Sequence, residues 1–82
     1  MAKVVLPHEV ARSFAAGVTQ HEIAASDVRD LIDRLDATFP GIGERLRSRM
    51  AVAIDGEIFQ DPFLETIRAQ SEVFFLPAIE GG

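Results

Sequence analysis

The sequence predicts a small α+β protein in which a mixed sheet of four to five strands packs on one main helix. Two observations indicate this fold class. Residues 26–39 carry apolar side chains at helical spacing, and short β-branched or aromatic runs lie on both sides of that segment. With 82 residues the chain forms one domain at most, and folding at this size buries only roughly 60–65% of the unfolded surface. The core is therefore thin, and the apolar side of the helix must pack on the sheet.

The first two predicted strands lie before the helix. Residues 3–6 form a short β-branched run that stops at Pro7, because proline cannot donate to a sheet ladder. Residues 8–17 are mixed in character and end in a glycine turn. Residues 18–24 predict the second strand, in which Ile23 points inward. We expect these two strands to pair as a hairpin.

The main helix has the strongest local pattern in the chain. Ser26 is its predicted N-cap, because a serine hydroxyl can accept a hydrogen bond from the first turn. One apolar stripe then follows the helical repeat, formed by Val28, Leu31, Ile32, Leu35 and Phe39. The carboxylates of the segment are interpreted as its solvated face rather than a catalytic pair: Asp27, Asp30, Asp33 and Asp36. Pro40 and Gly41 end the helix.

A second hairpin and a last strand follow the helix. Residues 50–54 and 57–60 flank the dipeptide Asp55-Gly56, which is favoured in two-residue type I′ turns. The connection after this hairpin has three predicted apolar anchors, Phe63, Leu64 and Ile67. The last strand, residues 73–76, ends at Pro77.

The order of these elements is that of the ubiquitin-like β-grasp fold: strand, strand, helix, strand, strand, strand. In this arrangement the helix carries the chain across the sheet, and the last strand lies parallel beside the first. Consecutive strand residues point to opposite faces, so Val73 and Phe75 are expected to pack inward. Phe74 and Leu76 then lie on the open face and form a partner-binding patch with the tail.

Composition argues against several classes of function. The net charge of −5 gives no electrostatic footprint for nucleic acid or an anionic membrane. The absence of cysteine removes disulfides, thiolate metal sites and cysteine nucleophiles. His8 and His21 are isolated, so no metal site is expected, and no nucleophile–base pair indicates an intrinsic enzyme. No apolar run approaches the ~18 residues of a membrane span, so we expect a cytoplasmic protein.

The last residues carry the chemistry. The chain ends Leu-Pro-Ala-Ile-Glu-Gly-Gly, and we interpret residues 1–76 as a folded domain and 77–82 as a flexible tail. Gly81 and Gly82 have no Cβ, so the tail can thread a narrow channel in a partner. The Gly82 carboxylate is unhindered, and once activated as an acyl-adenylate it is open to attack by a sulfur nucleophile. A carrier that uses its own C-terminus needs no thiol side chain, which agrees with the absence of cysteine.

The tail Phe-Leu-Pro-Ala-Ile-Glu-Gly-Gly and the order of elements resemble the sulfur carriers of the ThiS/MoaD family. The resemblance implies that Gly82 is adenylated by a MoeB/ThiF-type enzyme, which uses ATP, and is then converted to a thiocarboxylate. It implies a further partner, a larger synthase subunit or a sulfur-acceptor enzyme, and no stably bound cofactor. The family's tail glycines correspond to Gly81 and Gly82, and its apolar residue before the proline corresponds to Leu76. The protein is then a co-substrate and not itself an enzyme.

The receiving pathway and two other functions stay open. The molybdopterin branch of the family often has two prolines before the tail, whereas Ala78 follows Pro77 here. The Leu-Pro-Ala-Ile segment and Pro-Gly-Ile-Gly-Glu-Arg-Leu at 40–46 look at least as close to the CysO-type carrier of cysteine synthesis. The alternatives are a ubiquitin-like modifier conjugated through Gly82 and a passive β-grasp interaction module. Lys3 is the only lysine, which argues against chain building by a modifier.

Docking residues are predicted close to the tail. The partner-binding residues that we expect are Leu76, Phe74, Phe59, Pro77 and Ile79. Residues 42–49 predict a loop or one helical turn anchored by Leu46. The alternating Arg45, Arg47 and Arg49 of this segment are favoured as a solvated edge, and a docking patch for an acidic partner is the alternative.

Overall fold

The computed structural model describes residues 1–48 and 50–77. These ranges contain five strands and three helices. In chain order the elements are β1 (Ala2–Val5), α1 (His8–Phe14), β2 (Gln20–Ile23), α2 (Val28–Thr38), α3 (Ile42–Arg47), β3 (Met50–Ile54), β4 (Glu57–Phe59) and β5 (Glu72–Pro77). None of the helices in this part of the chain is long and apolar enough to cross a membrane.

The strands form one mixed sheet in the order β2-β1-β5-β3-β4. The central strand β5 runs parallel to β1 and antiparallel to β3. The predicted β-grasp fold is confirmed, together with the parallel pairing of the first and last strands. β1 and β2 pair antiparallel as predicted, but α1 lies between them in the chain, so they are not joined by a tight turn.

Helix α2 buries the predicted apolar stripe in the same core as the sheet. Four stripe residues are at most 1% exposed: Val28, Leu31, Ile32 and Leu35. Phe39 follows the last helical residue and is half-buried against the core. The N-cap is Asp27 and not the predicted Ser26, because the Asp27 carboxylate accepts a hydrogen bond from the Asp30 N–H at 2.7 Å. Ser26 instead donates its backbone N–H to the Asp30 carboxylate at 3.1 Å.

Helix α1 has no strong sequence signal. It has seven residues, begins after Pro7 without a side-chain cap and buries Val10 and Ala11. Two turns show only a fragment of the helical repeat, and a helix this short is not stable alone. Packing on the core therefore makes residues 8–14 helical, where the sequence shows only a mixed segment.

The connection between β4 and β5 contains one wrong prediction. Ile67 is buried and Phe63 packs on the core as expected, whereas Leu64 is 80% exposed. The reason lies in the backbone of this segment. Val28 and Arg29, at the start of α2, donate their N–H groups to the carbonyls of residues 65 and 63, and the intervening Leu64 side chain is left in solvent.

Asp36 joins α2 to the start of α3. Its Oδ1 atom accepts hydrogen bonds from the backbone N–H groups of Gly41 at 3.2 Å and Gly43 at 2.9 Å. Helix N-termini leave N–H groups without intrahelical partners, and a carboxylate there satisfies them. The glycines of the segment at 40–46 thus bring two backbone N–H groups to the Asp36 carboxylate and connect the two helices.

Two of the three alternating arginines make ion pairs within the fold. Arg45 contacts Glu9 of α1 at 3.0 Å, and Arg47 contacts Asp33 of α2 at 2.5 Å. All four side chains are substantially exposed, so each pair contributes little to stability. These contacts favour the solvated-edge interpretation for Arg45 and Arg47. Arg49 lies outside the described residues.

The predicted turn at Asp55-Gly56 is confirmed. Both residues have positive φ, 50° for Asp55 and 88° for Gly56, as a type I′ turn requires. The Asp55 carboxylate accepts from the backbone N–H of Glu72 and from the Ser71 hydroxyl, each at 2.9 Å. These hydrogen bonds, the Glu72 N–H first, lower the pKa of Asp55 below its ordinary 3.8. The turn is thereby fixed to the start of β5.

Candidate docking face

The two faces of strand β5 differ in exposure: one face is covered by the core, and the other is open. Val73 and Phe75 are 0% and 2% exposed in the core, as predicted. Phe74 is 39% exposed and Leu76 is half-buried on the opposite side of the strand. The alternation follows from the pleat, because successive side chains point to opposite faces. The side of the sheet that carries no helix therefore presents the apolar side chains of Phe74 and Leu76.

The strand register extends this surface into a row. Val5 of β1 and Ala53 of β3 lie directly beside Phe74, and Ile58 of β4 lies beside Ala53. Residues directly opposite one another in neighbouring strands share a face. The row Val5–Phe74–Ala53–Ile58, hereafter the apolar row, crosses four adjacent strands. Phe74 and Ile58 are its exposed members, and Ile58 is the more exposed at 60%.

Leu76 continues the apolar surface toward the end of β5. It lies beside Ala51, and the two residues are each two positions along their strands from Phe74 and Ala53 of the apolar row. Pro77 is exposed, pairs with Met50 and is the last described residue. The predicted site residues Ile79, Gly81 and Gly82 lie outside the described residues. Phe74 of the apolar row and Leu76 therefore lie on β5, the strand that precedes the Gly-Gly sequence at residues 81–82.

Phe59 is separated from Phe74 and Leu76, which corrects its predicted placement on the same surface. It lies directly beside Val52, which is buried, and packs against the core on the covered face. Ile58, its neighbour, takes the open position. The turn could have predicted this placement. With Asp55-Gly56 as a two-residue loop, residue 54 pairs with 57, 53 with 58 and 52 with 59. Counting this register assigns Ile58 to the open face.

The described residues hold no metal-binding constellation. Within residues 1–48 and 50–77, no group of three or more His, Asp or Glu side chains is arranged to hold a metal ion. The candidate site in these residues consists of apolar side chains on the open face of the sheet.

The fold and the open face define the class of protein. Ubiquitin-like carriers and modifiers have a β-grasp sheet with an apolar open face, and their last strand is followed by a Gly-Gly sequence. The ThiS family model matches residues 8–82, so the chain belongs to the ThiS family. No curated protein gives a significant sequence match.

Three solved structures show the same fold at low sequence identity. A chain of the Amycolatopsis orientalis BexX/CysO complex is 22% identical, with 100% of this chain and 100% of that chain covered and a TM-score of 0.84. Mycobacterium tuberculosis CysO is 20% identical, with 96% of this chain and 100% of that chain covered and a TM-score of 0.85. Small archaeal modifier protein 1 from Methanosarcina acetivorans is 18% identical, with 99% and 95% covered and a TM-score of 0.78. The chain is thus similar in fold to two CysO structures and to a small archaeal modifier protein.

Proposed function

We propose that this chain is a sulfur carrier of the cytoplasm whose Gly82 carboxylate is converted to a thiocarboxylate. In the first step the carboxylate attacks the α-phosphorus of ATP on a MoeB/ThiF-type enzyme, an acyl-adenylate forms and pyrophosphate leaves. In the second step a sulfur nucleophile at the oxidation level of sulfide attacks the acyl carbon, a C–S bond forms and AMP leaves. A larger synthase subunit or an acceptor enzyme then takes the sulfur, in molybdopterin or cysteine synthesis.

The observation that supports this proposal is the position of the apolar row. It crosses the open face of the sheet, and its member Phe74 lies on β5, the strand that precedes the Gly-Gly sequence. An enzyme that docks on Phe74 and Ile58 therefore binds the face of the sheet to which the strand ending at Pro77 belongs, five residues before Gly82 in the chain. Membership of the ThiS family supports the same chemistry.

The test is intact-protein mass spectrometry, which the absence of cysteine from this chain allows to be combined with alkylation. The chain is incubated with ATP, the adenylating enzyme of its host and a sulfide source, beside a variant that lacks Gly81 and Gly82. The expected product has one oxygen replaced by one sulfur, and the variant stays unchanged. Because the sequence contains no cysteine, a subsequent iodoacetamide adduct can form readily only on the thiocarboxylate. Alkylation thus reports the sulfur independently of the mass shift.

The outcomes separate the three functions. Sulfur incorporation that depends on the terminal glycines supports the carrier. Adenylation followed by an isopeptide bond to a lysine of another protein, with no sulfur incorporated, supports the modifier. A chain that is never adenylated by a competent enzyme is a passive interaction module, and the carrier proposal is then wrong.

A further inference from the structure

The turn that joins β3 to β4 contains a dipeptide that is prone to a covalent rearrangement. In an Asp-Gly sequence the backbone nitrogen of the glycine can attack the side-chain carboxyl carbon of the aspartate, because no side chain on the glycine shields that nitrogen. A C–N bond forms, water leaves and a cyclic succinimide results. Water then opens the ring at the other carbonyl, and the product is isoaspartate, in which the aspartate Cβ has entered the main chain.

Asp55-Gly56 is the position of this sequence where the rearrangement is expected. The sequence contains no asparagine, and Asp55 is its only aspartate that precedes a glycine. Both residues are exposed, and a Cβ added to Gly56 would meet no neighbouring atom within 4 Å, so packing does not shield the turn. Isoaspartate here would lengthen the main chain of a two-residue turn and disturb the register that places Ile58 on the open face.

The Asp55 carboxylate is held by the residues at the start of β5. The Asp55 N–H donates to the Glu72 carbonyl at 2.9 Å, and the Glu72 N–H donates to Asp55 Oδ1 at 2.9 Å. In an ordinary antiparallel pair the second of these bonds would go to a backbone carbonyl, so the carboxylate takes the place of that carbonyl in the ladder. The Ser71 hydroxyl donates to Asp55 Oδ2, also at 2.9 Å. Both carboxylate oxygens therefore have partners at the neighbouring strand.

Ser71 is itself fixed in this arrangement. It is buried, at 2% exposed, and its Oγ atom accepts a hydrogen bond from the Arg68 N–H at 2.9 Å. A hydroxyl has a single hydrogen, which Ser71 therefore directs at the Asp55 carboxylate. Rotation of the carboxylate toward Gly56 would break the bonds to Ser71 and Glu72 and leave a buried hydroxyl without its acceptor, which is costly.

We propose that the Ser71 hydroxyl and the Glu72 N–H act as a lock that suppresses isoaspartate formation at Asp55-Gly56. The lock keeps the carboxyl carbon away from the Gly56 nitrogen. It also acts on the chemistry, because the carboxyl group releases water readily only when it is protonated. The hydrogen bonds from Glu72 and Ser71 stabilise the ionised form and lower the pKa of Asp55. The lock preserves the geometry of the sheet and is independent of the chemistry at Gly82.

The experiment measures isoaspartate at Asp55 after prolonged incubation of the full chain at neutral pH. Trypsin releases residues 50–68 as one peptide, in which isoaspartate changes the chromatographic retention but not the mass. The other aspartate of this peptide, Asp61, precedes a proline, which has no N–H with which to form a succinimide. Ser71→Ala is expected to form isoaspartate about five- to tenfold faster than wild type, because the carboxylate loses one charge-assisted hydrogen bond.

Two controls separate the lock from a general loss of stability. Ser26→Ala removes an exposed hydroxyl away from the turn, and Asp27→Ala weakens the fold through the cap of α2. Both are expected to form isoaspartate at the wild-type rate, and thermal unfolding checks that every variant is folded.

A second comparison uses the unfolded chain. In urea, wild type and Ser71→Ala are expected to react equally fast, and faster than the folded wild type, because the lock exists only in the folded sheet. If folded Ser71→Ala reacts no faster than wild type, or if Asp27→Ala is accelerated to the same extent, the proposal is overturned. A folded wild type that reacts as fast as the unfolded chain would also show that there is no lock.

Discussion

Phe74 and Phe75 are consecutive in the chain and lie on opposite faces of the same central strand. Phe75 is 2% exposed beside Val52 in the core, and Phe74 is 39% exposed beside Ala53 on the open face. One aromatic side chain thus stabilises the fold and its neighbour is available to a partner.

This pair gives the first prediction. Phe75→Ala is expected to lower the free energy of unfolding by about 3–5 kcal/mol, because it leaves a cavity in a small core. Phe74→Ala is expected to change it by less than about 1 kcal/mol, since the side chain is already partly in water, and to weaken adenylation. Urea unfolding followed by circular dichroism measures the first effect. Equal losses of stability in the two variants would contradict the assignment of faces.

The cap of α2 gives a second prediction. Asp27→Ala removes the acceptor for the Asp30 N–H and is expected to cost about 1 kcal/mol of stability. Ser26→Ala is the matched control and is expected to cost much less, because the backbone N–H of Ser26 keeps its hydrogen bond to Asp30 at 3.1 Å and the hydroxyl that is lost makes only a long one at 3.5 Å. Thermal unfolding of the two variants checks the order. A larger loss in Ser26→Ala would show that the cap lies at the residue that the sequence alone favours.

Gly43 gives a third prediction, and the reason is steric. A Cβ atom at this position would lie 2.9 Å from Asp36 Oδ1, the atom that accepts the Gly43 N–H. Gly43→Ala is therefore expected to displace Asp36 and to destabilise the protein by about 1–3 kcal/mol. Glu44→Ala, at the next position of α3 and exposed, serves as control with a change below about 0.5 kcal/mol. Denaturant unfolding of both variants provides the comparison, and no difference between them would rule out the steric explanation.

Asp55 gives a fourth prediction, on pH. Its folded pKa is lowered below 3.8, so the carboxylate contributes stability that is present above the unfolded pKa and is lost as pH falls through the folded pKa. Asp55→Asn is expected to be less stable than wild type at neutral pH, and the gap is expected to narrow below about pH 4. Chemical unfolding at a series of pH values tests this. A gap that is constant or widens on acidification would show that the Asp55 charge does not stabilise the turn.

Local patterns in the sequence determined a large part of this protein. The stripe of α2, the Asp55-Gly56 turn and the alternation of Val73 and Phe75 are each set by neighbouring residues, because helical and strand periods place side chains on faces without reference to the rest of the chain. The β-grasp order followed from these elements. The tail chemistry came from Gly81 and Gly82, and it stays a prediction.

The tertiary structure decided what local patterns leave undetermined. Packing made residues 8–14 helical, backbone hydrogen bonds to α2 left Leu64 in solvent, and the Asp27 carboxylate took the cap from Ser26. The register of β3 with β4 places Phe59 on the covered face and Ile58 on the open face. Lys3 lies between Glu22 and Glu72 only because β1 lies between β2 and β5. The helix at residues 8–14, the exposure of Leu64 and the neighbours of β1 depend on contacts between residues far apart in the chain, and the periodicity of one segment contains no information about which segment becomes its neighbour. The cap at Asp27 is a local contact, and the placement of Ile58 follows from the register of the turn.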